Sequence, residues 1–296
     1  MIALPYIEPV FRPPSEWKSF ILQVTNGCSW NKCTFCDMYT QPQKKFRPKK
    51  QEEIEKELAM VAQSGAHVGR VFLADGDAMA LSTRRLTEIL LAIKKYLPSV
   101  TRVSSYCLPR NLKNKSVEEL QELRSLGLKL AYVGCESGDD KVLECIEKGE
   151  TYETSLSALT KLKSAGIKSS VMILNGMGGV KYSEQHMINS ARLMNEAQPE
   201  FLSTLVVSYP LGDKRVVEGF GGDYQLPDTP GLIREMQILL ETLELESTVF
   251  RSDHASNYLV LKGVLNKDKA ALLQQVNAAL TQPGSISLRQ EWQRGL

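Results

Sequence analysis

The sequence predicts an α/β fold: a partial (βα)6 barrel or open parallel sheet, followed by a C-terminal α+β extension. Two observations predict it. Apolar, β-branched runs alternate with amphipathic helical stretches along residues 20–208. Successive strands start roughly 30 to 50 residues apart with a helix between, the crossover that parallel strands require. The strands are expected at 20–25, 70–74, 103–106, 128–134, 168–174 and 201–208. Six such units are too few for a closed barrel of eight. In either architecture function collects at the C-terminal ends of the strands.

The helices follow from period and punctuation. In 51–64, Ile54, Leu58 and Val61 share a face, and in 82–97 so do Leu86, Ile89, Leu90 and Ile93. Ser116 and Glu119 have capping-box spacing and open a third helix that Gly127 closes. Further helices are expected at 141–147, 151–165 and 183–197, with Gly166 and Pro199 as stops. The segment 212–227, rich in Gly, Asp and Pro, reads as a loop. Thr229-Pro230 then opens a helix with Leu232, Met236, Leu239 and Leu243 on one face. Strands at 247–250 and 258–261 and a helix at 268–280 complete the extension. The division expected is a core over 1–212, including its N-terminal lead-in, and an extension over 213–296 packed on it.

Composition excludes some functions. Thirty-six basic and 34 acidic residues leave a net charge of +2, which gives no support to a nucleic-acid partner. No run of about 18 apolar residues occurs, so no membrane span is expected. The N-terminus lacks the basic start and apolar stretch of a secretory signal, so the chain is expected in the cytoplasm, with reduced thiols. Six cysteines there point to metal binding or catalysis before disulfides. Cys28, Cys33 and Cys36 crowd into one loop directly after the first strand, whereas Cys107, Cys135 and Cys145 are scattered. Three thiolates so close in sequence can converge on one inorganic centre. Structural zinc wants four ligands, and His67, His186 and His254 are all distant in sequence. An iron–sulfur cluster also takes four thiolates, so three would leave one iron open, as a catalytic site needs. Incidental buried thiols and a zinc site remain the alternatives.

At this point the chain resembles the radical SAM superfamily, in the branch of methylthiotransferases and coproporphyrinogen-dehydrogenase-like proteins. The usual spacing there is C-x3-C-x2-C with an aromatic before the last cysteine. Here Phe35 precedes Cys36, and the first interval is one residue longer, giving C-x4-C-x2-C. The resemblance covers about residues 18–212. It implies a [4Fe-4S] cluster on Cys28, Cys33 and Cys36, and S-adenosylmethionine as the second cofactor. It also implies further binding residues. Gly76 and Asp77, in Leu73-Ala74-Asp75-Gly76-Asp77-Ala78, stand where the family has a Gly-Gly-Glu-like turn for the cofactor's amino group, although the glycine doublet is broken. Glu136 and Ser137, in Gly134-Cys135-Glu136-Ser137-Gly138, stand where an acid binds ribose hydroxyls. Lys148 takes the place of a basic residue on the methionyl carboxylate. Asn175 and Gly176 belong to a glycine-bearing stretch along the adenine.

Other residues are candidates on their own. Residues 250–258 are unusually polar between two apolar runs, so Arg251, His254 and Asn257 could cover the strand ends, or form a turn that holds the extension together. Tyr106 ends the third strand, where a substrate pocket would lie. Alternation points Cys107 away from Tyr106, and Cys135 away from Glu136, so both read as structural thiols. Trp30 could shield the iron. The basic stretch 44–50 could meet an acidic electron donor such as flavodoxin or ferredoxin, or be a solvated loop.

The function implied by the resemblance is reductive cleavage of S-adenosylmethionine to a 5′-deoxyadenosyl radical, which abstracts hydrogen from substrate. No cysteine follows Cys145, so no second cluster is expected in the extension, which argues against a methylthiotransferase. A small-molecule substrate is the expectation. Transfer-RNA modification, or non-catalytic electron transfer or redox sensing, are the alternatives. The last two do not need Glu136 or the glycine turn.

Overall fold

The computed structural model describes residues 4–282, 284 and 286–295. In chain order the elements begin with strand β1 (Phe20–Gln23), the short strands β2 (Thr25–Asn26) and β3 (Arg47–Pro48), and helix α1 (Gln51–Gln63). There follow β4 (Arg70–Ala74), α2 (Thr83–Tyr96), β5 (Arg102–Cys107), α3 (Val117–Ser125), β6 (Leu128–Glu136), α4 (Asp140–Cys145) and α5 (Tyr152–Ala165). The remainder is β7 (Lys168–Asn175), α6 (Gly179–Ala197), β8 (Phe201–Val206), α7 (Lys214–Gly219), α8 (Thr229–Thr242), β9 (Val249–Ser252), β10 (Leu261–Val264) and α9 (Lys269–Thr281).

These elements form two compact units. The first takes the N-terminal segment through Asn31, Cys36–Val133 and Thr160–Ser169. In it β1 pairs in parallel with β4, β4 with β5, and β5 with β6, with a register shift between Val103 and Ser104. β4 is buried from Val71 to Ala74, as a parallel strand covered on both faces should be. The expected capping box forms. Ser116 Oγ accepts the Glu119 N–H at 3.2 Å, and Glu119 Oε2 accepts the Ser116 N–H at 2.8 Å. β2 and β3 form a separate antiparallel pair beside the cysteine loop.

The second unit takes Lys32–Phe35, Gly134–Leu159 and Ser170 onward. β7, β8 and β9 are parallel neighbours, and β10 returns antiparallel on β9. Its core joins Val142, Leu143, Cys145 and Ile146 to Leu174, Met177, Val207 and Val216, with Phe35 packed against them. Asp228 caps α8 by accepting the Gly231 N–H at 2.8 Å.

Three boundaries depart from the sequence reading. The 212–227 segment contains helix α7, because Val216 and Phe220 bury themselves in the second unit's core. α6 starts at Gly179, four residues earlier than expected, because Gly179 turns the chain at φ +60°. β9 and β10 are shifted toward the C-terminus of the expected runs, since Asn257 and its neighbours make the turn between them.

Candidate functional site

In the first unit the site residues gather where β1 and β4 end. Ser29, one residue past Cys28, donates its hydroxyl to Asp77 Oδ2. The other oxygen of Asp77 is buried without a hydrogen-bond partner. Burial raises the Asp77 pKa, against the hydrogen bond from Ser29. Gly76 lies flat under Tyr39, where a β-carbon would stand 2.4 Å from the ring. The neighbouring Asp75 pairs with Lys44, and both side chains are fully buried. Lys44 Nζ also donates to the Ile7 carbonyl at 2.8 Å. This corrects one expectation: Lys44 is a structural partner of the strand end and no part of a basic surface for an electron donor. Lys45, Arg47 and Lys50 remain exposed. Arg110 stacks 3.7 Å above the Trp30 ring, so that tryptophan is covered by a guanidinium. Tyr106 packs edge-on against Phe72, at 5.0 Å between centroids, and its pKa is raised by burial.

In the second unit the sequence folds Cys33 and Phe35 onto the end of α4. The Thr34 N–H donates to the Ile146 carbonyl at 3.0 Å, and Arg215 on α7 donates to the Cys33 carbonyl at 3.3 Å. Glu136 ends β6 in the left-handed region, at φ +64°, which costs a non-glycine residue about 1–2 kcal/mol. That conformation folds its carboxylate back over Gly134, where only a glycine leaves room: a β-carbon there would lie 2.2 Å from Oε1. Lys148 Nζ donates to this Oε1 at 2.9 Å and sits 5.9 Å from the centre of the Phe35 ring. Desolvation disfavours the Lys148 ammonium, but Glu136 and the Cys33 sulfur outweigh it, and its pKa is held above the lysine value.

Ser137 is fully buried and committed within the protein. Its hydroxyl donates to His186 Nδ1 at 2.7 Å and accepts the Asp139 N–H at 2.9 Å. His186 Nε2–H donates to the Leu174 carbonyl at 2.9 Å, which sets this tautomer. Burial lowers the His186 pKa to about 4, so the ring is neutral. Ser137 thus holds the end of β6 to that of β7. Cys135 is buried with its pKa pushed up to about 12, chiefly by desolvation, and Cys107 and Cys145 are buried too.

At the end of β7 the Asn175 side chain is 1% exposed, with its amide beside the Glu235 carboxylate. It lines a cavity of about 20 Å³ with Met236, Ser252, Asn257 and Tyr258, room for one water. Gly176 follows at φ +84°. Its N–H donates to Glu235 Oε2 at 2.6 Å, and Ser183 donates to Glu235 Oε1 at 2.8 Å. Glu235 escaped the sequence reading, although position 235 falls on the apolar face of α8 with Leu232 and Leu239, where an acid is conspicuous.

The 250–258 residues are spent largely on structure. Asn257 is buried, accepts the Val206 N–H at 2.8 Å and donates to the Thr204 carbonyl at 2.9 Å, completing the edge of β8. His254 Nδ1 lies 2.9 Å from the Ser256 hydroxyl, and Arg289 binds the Asn257 carbonyl at 3.0 Å. Arg251 is exposed on β9.

Residues 22–193 match the radical SAM superfamily. The chain belongs to that superfamily. An uncharacterised methyltransferase of Pyrococcus horikoshii is 27% identical over 147 residues, covering 50% of this chain and 30% of that protein. A putative methylthiotransferase of Methanocaldococcus jannaschii is 24% identical over 154 residues, 50% of this chain and 33% of that protein. The chain thus spans about a third of the length of the curated relatives it matches. Coproporphyrinogen III oxidase from Escherichia coli, a radical SAM enzyme, superposes with a TM-score of 0.57 at 15% identity, covering 75% of this chain and 52% of that one. That likeness shows the fold class, the α/β type of the radical SAM proteins.

The cofactors of this superfamily are a [4Fe-4S] cluster and S-adenosylmethionine. Among the described residues no three His, Cys, Asp or Glu side chains close to the spacing of a single metal ion. A cluster differs from one ion, because its thiolates bind separate irons. The residues suit the second cofactor's groups. Asp77 is a fully buried carboxylate, of the charge that pairs with an ammonium, and Glu136 is 8% exposed with its Oε1 engaged by Lys148. No helix among the described residues is long and apolar enough to cross a membrane.

Glu235 makes stability depend on pH. Burial pushes its pKa up to about 7 from 4.5, against the hydrogen bonds from Ser183, Gly176 and the Asn175 amide. Because the folded value lies above the unfolded one, the protonated form is favoured by folding, and stability falls as pH rises from about 4.5 to about 7. The cost of ionised Glu235 reaches about 3 kcal/mol at alkaline pH. The expected result is that Glu235→Gln melts several degrees above wild type at pH 9 and alongside it at pH 4. Equal melting temperatures at both pH values would contradict this account.

Proposed function

We propose that the protein is a radical SAM enzyme in which Cys28, Cys33 and Cys36 hold a [4Fe-4S] cluster with one iron open to S-adenosylmethionine. The observation that carries the reading is this cysteine set, just past β1 and β2, inside a stretch that matches the superfamily. The chemistry these cofactors supply when bound is one-electron reductive cleavage of S-adenosylmethionine and hydrogen abstraction from a substrate carbon. The chain's residues bind and orient. Asp77 receives the ammonium, and the Gly76 backbone lies beside it under Tyr39. Glu136 offers its free oxygen to the ribose hydroxyls, with Lys148 holding the other oxygen and supplying positive charge for the methionyl carboxylate. Asn175 and Gly176 face the adenine, and Phe35 keeps water from Cys33. Residues 1–212 act as the core and 213–296 as its extension. Tyr106 is the candidate for contact with a small-molecule substrate, and a flavodoxin or ferredoxin supplies the electron.

Reconstitution with iron and sulfide under argon tests this. The expected yield is about four irons and four sulfides per chain. The reduced cluster's electron paramagnetic resonance signal should change when S-adenosylmethionine is added, and Cys36→Ala should hold no cluster. One zinc per colourless chain, or a cluster signal indifferent to S-adenosylmethionine, would overturn the reading.

A further inference from the structure

The peptide of Gly176 is gripped on both sides by the C-terminal part of the chain. Glu235 on α8, fully buried, accepts its N–H at 2.6 Å. Tyr224 donates its hydroxyl to the Gly176 carbonyl at 2.9 Å, and Tyr209 lies 2.6 Å from the Tyr224 oxygen. The Gln225 carbonyl accepts the Val180 N–H at 2.8 Å, one turn further on. Leu226 and Leu232 close over the α-carbon: a β-carbon on Gly176 would lie 2.7 Å and 3.1 Å from them. A glycine at φ +84° carries no conformational preference of its own to hold the turn. These contacts therefore set its shape, and the buried amide of Asn175 lies beside them.

We propose that Glu235 is a positioning residue for S-adenosylmethionine: through the Gly176 N–H it fixes the turn after β7 in the conformation that receives the nucleoside. The proposal rests on the reading of the site given above. It gives the 213–296 segment a role in cofactor binding, although that segment lies beyond the superfamily match. Glu235 also accepts from Ser183 at 2.8 Å, so one carboxylate ties the turn to the first part of α6. A glutamine keeps an acceptor for the Gly176 N–H and offers a donor to Ser183. An alanine leaves the N–H buried and unpaired, which is the costly case.

Two readouts separate the clamp from the cofactor. The first is hydrogen exchange of residues 175–180 in the protein as purified, which does not depend on any cofactor. Exchange in Glu235→Ala should quicken at least about 10-fold, with Glu235→Gln close to wild type. Unchanged exchange in Glu235→Ala would overturn the clamp. The second is equilibrium dialysis of labelled S-adenosylmethionine against cluster-loaded protein, with iron content measured on the same samples. Affinity should fall about 10-fold in Glu235→Ala and less than about 3-fold in Glu235→Gln, at equal iron content. KM for the cofactor should rise while kcat stays near wild type. Faster exchange with unchanged affinity would overturn the positioning role while leaving the proposed function intact. If wild type, holding its cluster, bound no S-adenosylmethionine, the proposed function and this inference would fall together.

Discussion

Replacing Lys44 with methionine is expected to cost about 3–5 kcal/mol of stability, the largest effect expected of a single substitution in this site. Lys44 and Asp75 are both fully buried, so neither charge has water to fall back on. Removing the ammonium leaves Asp75 with the Gly27 N–H at 3.4 Å and the Gln23 amide at 3.5 Å, both long and weak. One of its oxygens has no hydrogen-bond partner even in the intact protein. The carboxylate must then be protonated or pull the strand end open. The double variant Lys44→Met/Asp75→Leu removes both charges and should recover most of the loss, because a buried pair is worth little more than an apolar filling of similar volume. Urea unfolding at pH 7 measures both. A loss under about 1 kcal/mol in Lys44→Met, or no recovery in the double variant, would contradict this account of the pair.

The second large effect is expected at Lys148→Met, about 3 kcal/mol. Its partner Glu136 is slightly less buried, 8% exposed, so water relieves part of the stranded charge. The difference from Lys44 lies in function. Glu136 is held in a left-handed conformation, and the Lys148 ammonium is what draws its carboxylate back over Gly134. Without that partner the strained backbone loses its compensation, and the oxygen proposed above for the ribose loses its place. Affinity for S-adenosylmethionine should therefore fall about 10-fold or more in Lys148→Met. A double-mutant cycle with Glu136→Gln should give a coupling of about 1–3 kcal/mol in stability. Additive effects would show that the two residues act apart.

Much of this architecture was legible in the sequence because it rests on local periodicity. β4 falls where its apolar run placed it, and α3 opens on the Ser116–Glu119 box. The cysteine loop stands out in the sequence because three thiols crowd into nine residues, and the proposed cluster rests on that spacing and on the superfamily match. What escaped depends on tertiary contact. α7 is six residues long in a Gly- and Asp-rich stretch, too short for a periodic signal, and it exists because Val216 and Phe220 find a core. Lys44 looked like one of several solvated cations, because nothing local distinguishes it from Lys45; only the partner Asp75, 31 positions away, does. Asn257 reads equally as a residue over the strand ends or as part of a turn that holds the extension, and its amide completes β8. Polar residues at a strand end serve the backbone as readily as a ligand, and sequence does not separate the two.

The most direct test of the central claim is the cleavage reaction itself. Reconstituted protein, S-adenosylmethionine and dithionite are incubated without oxygen, and 5′-deoxyadenosine is quantified beside a Cys33→Ala control. The expected result is 5′-deoxyadenosine from wild type, with a rate at least about 100-fold above the control. No 5′-deoxyadenosine from wild type shown to hold its cluster, or equal amounts from Cys33→Ala, would contradict it.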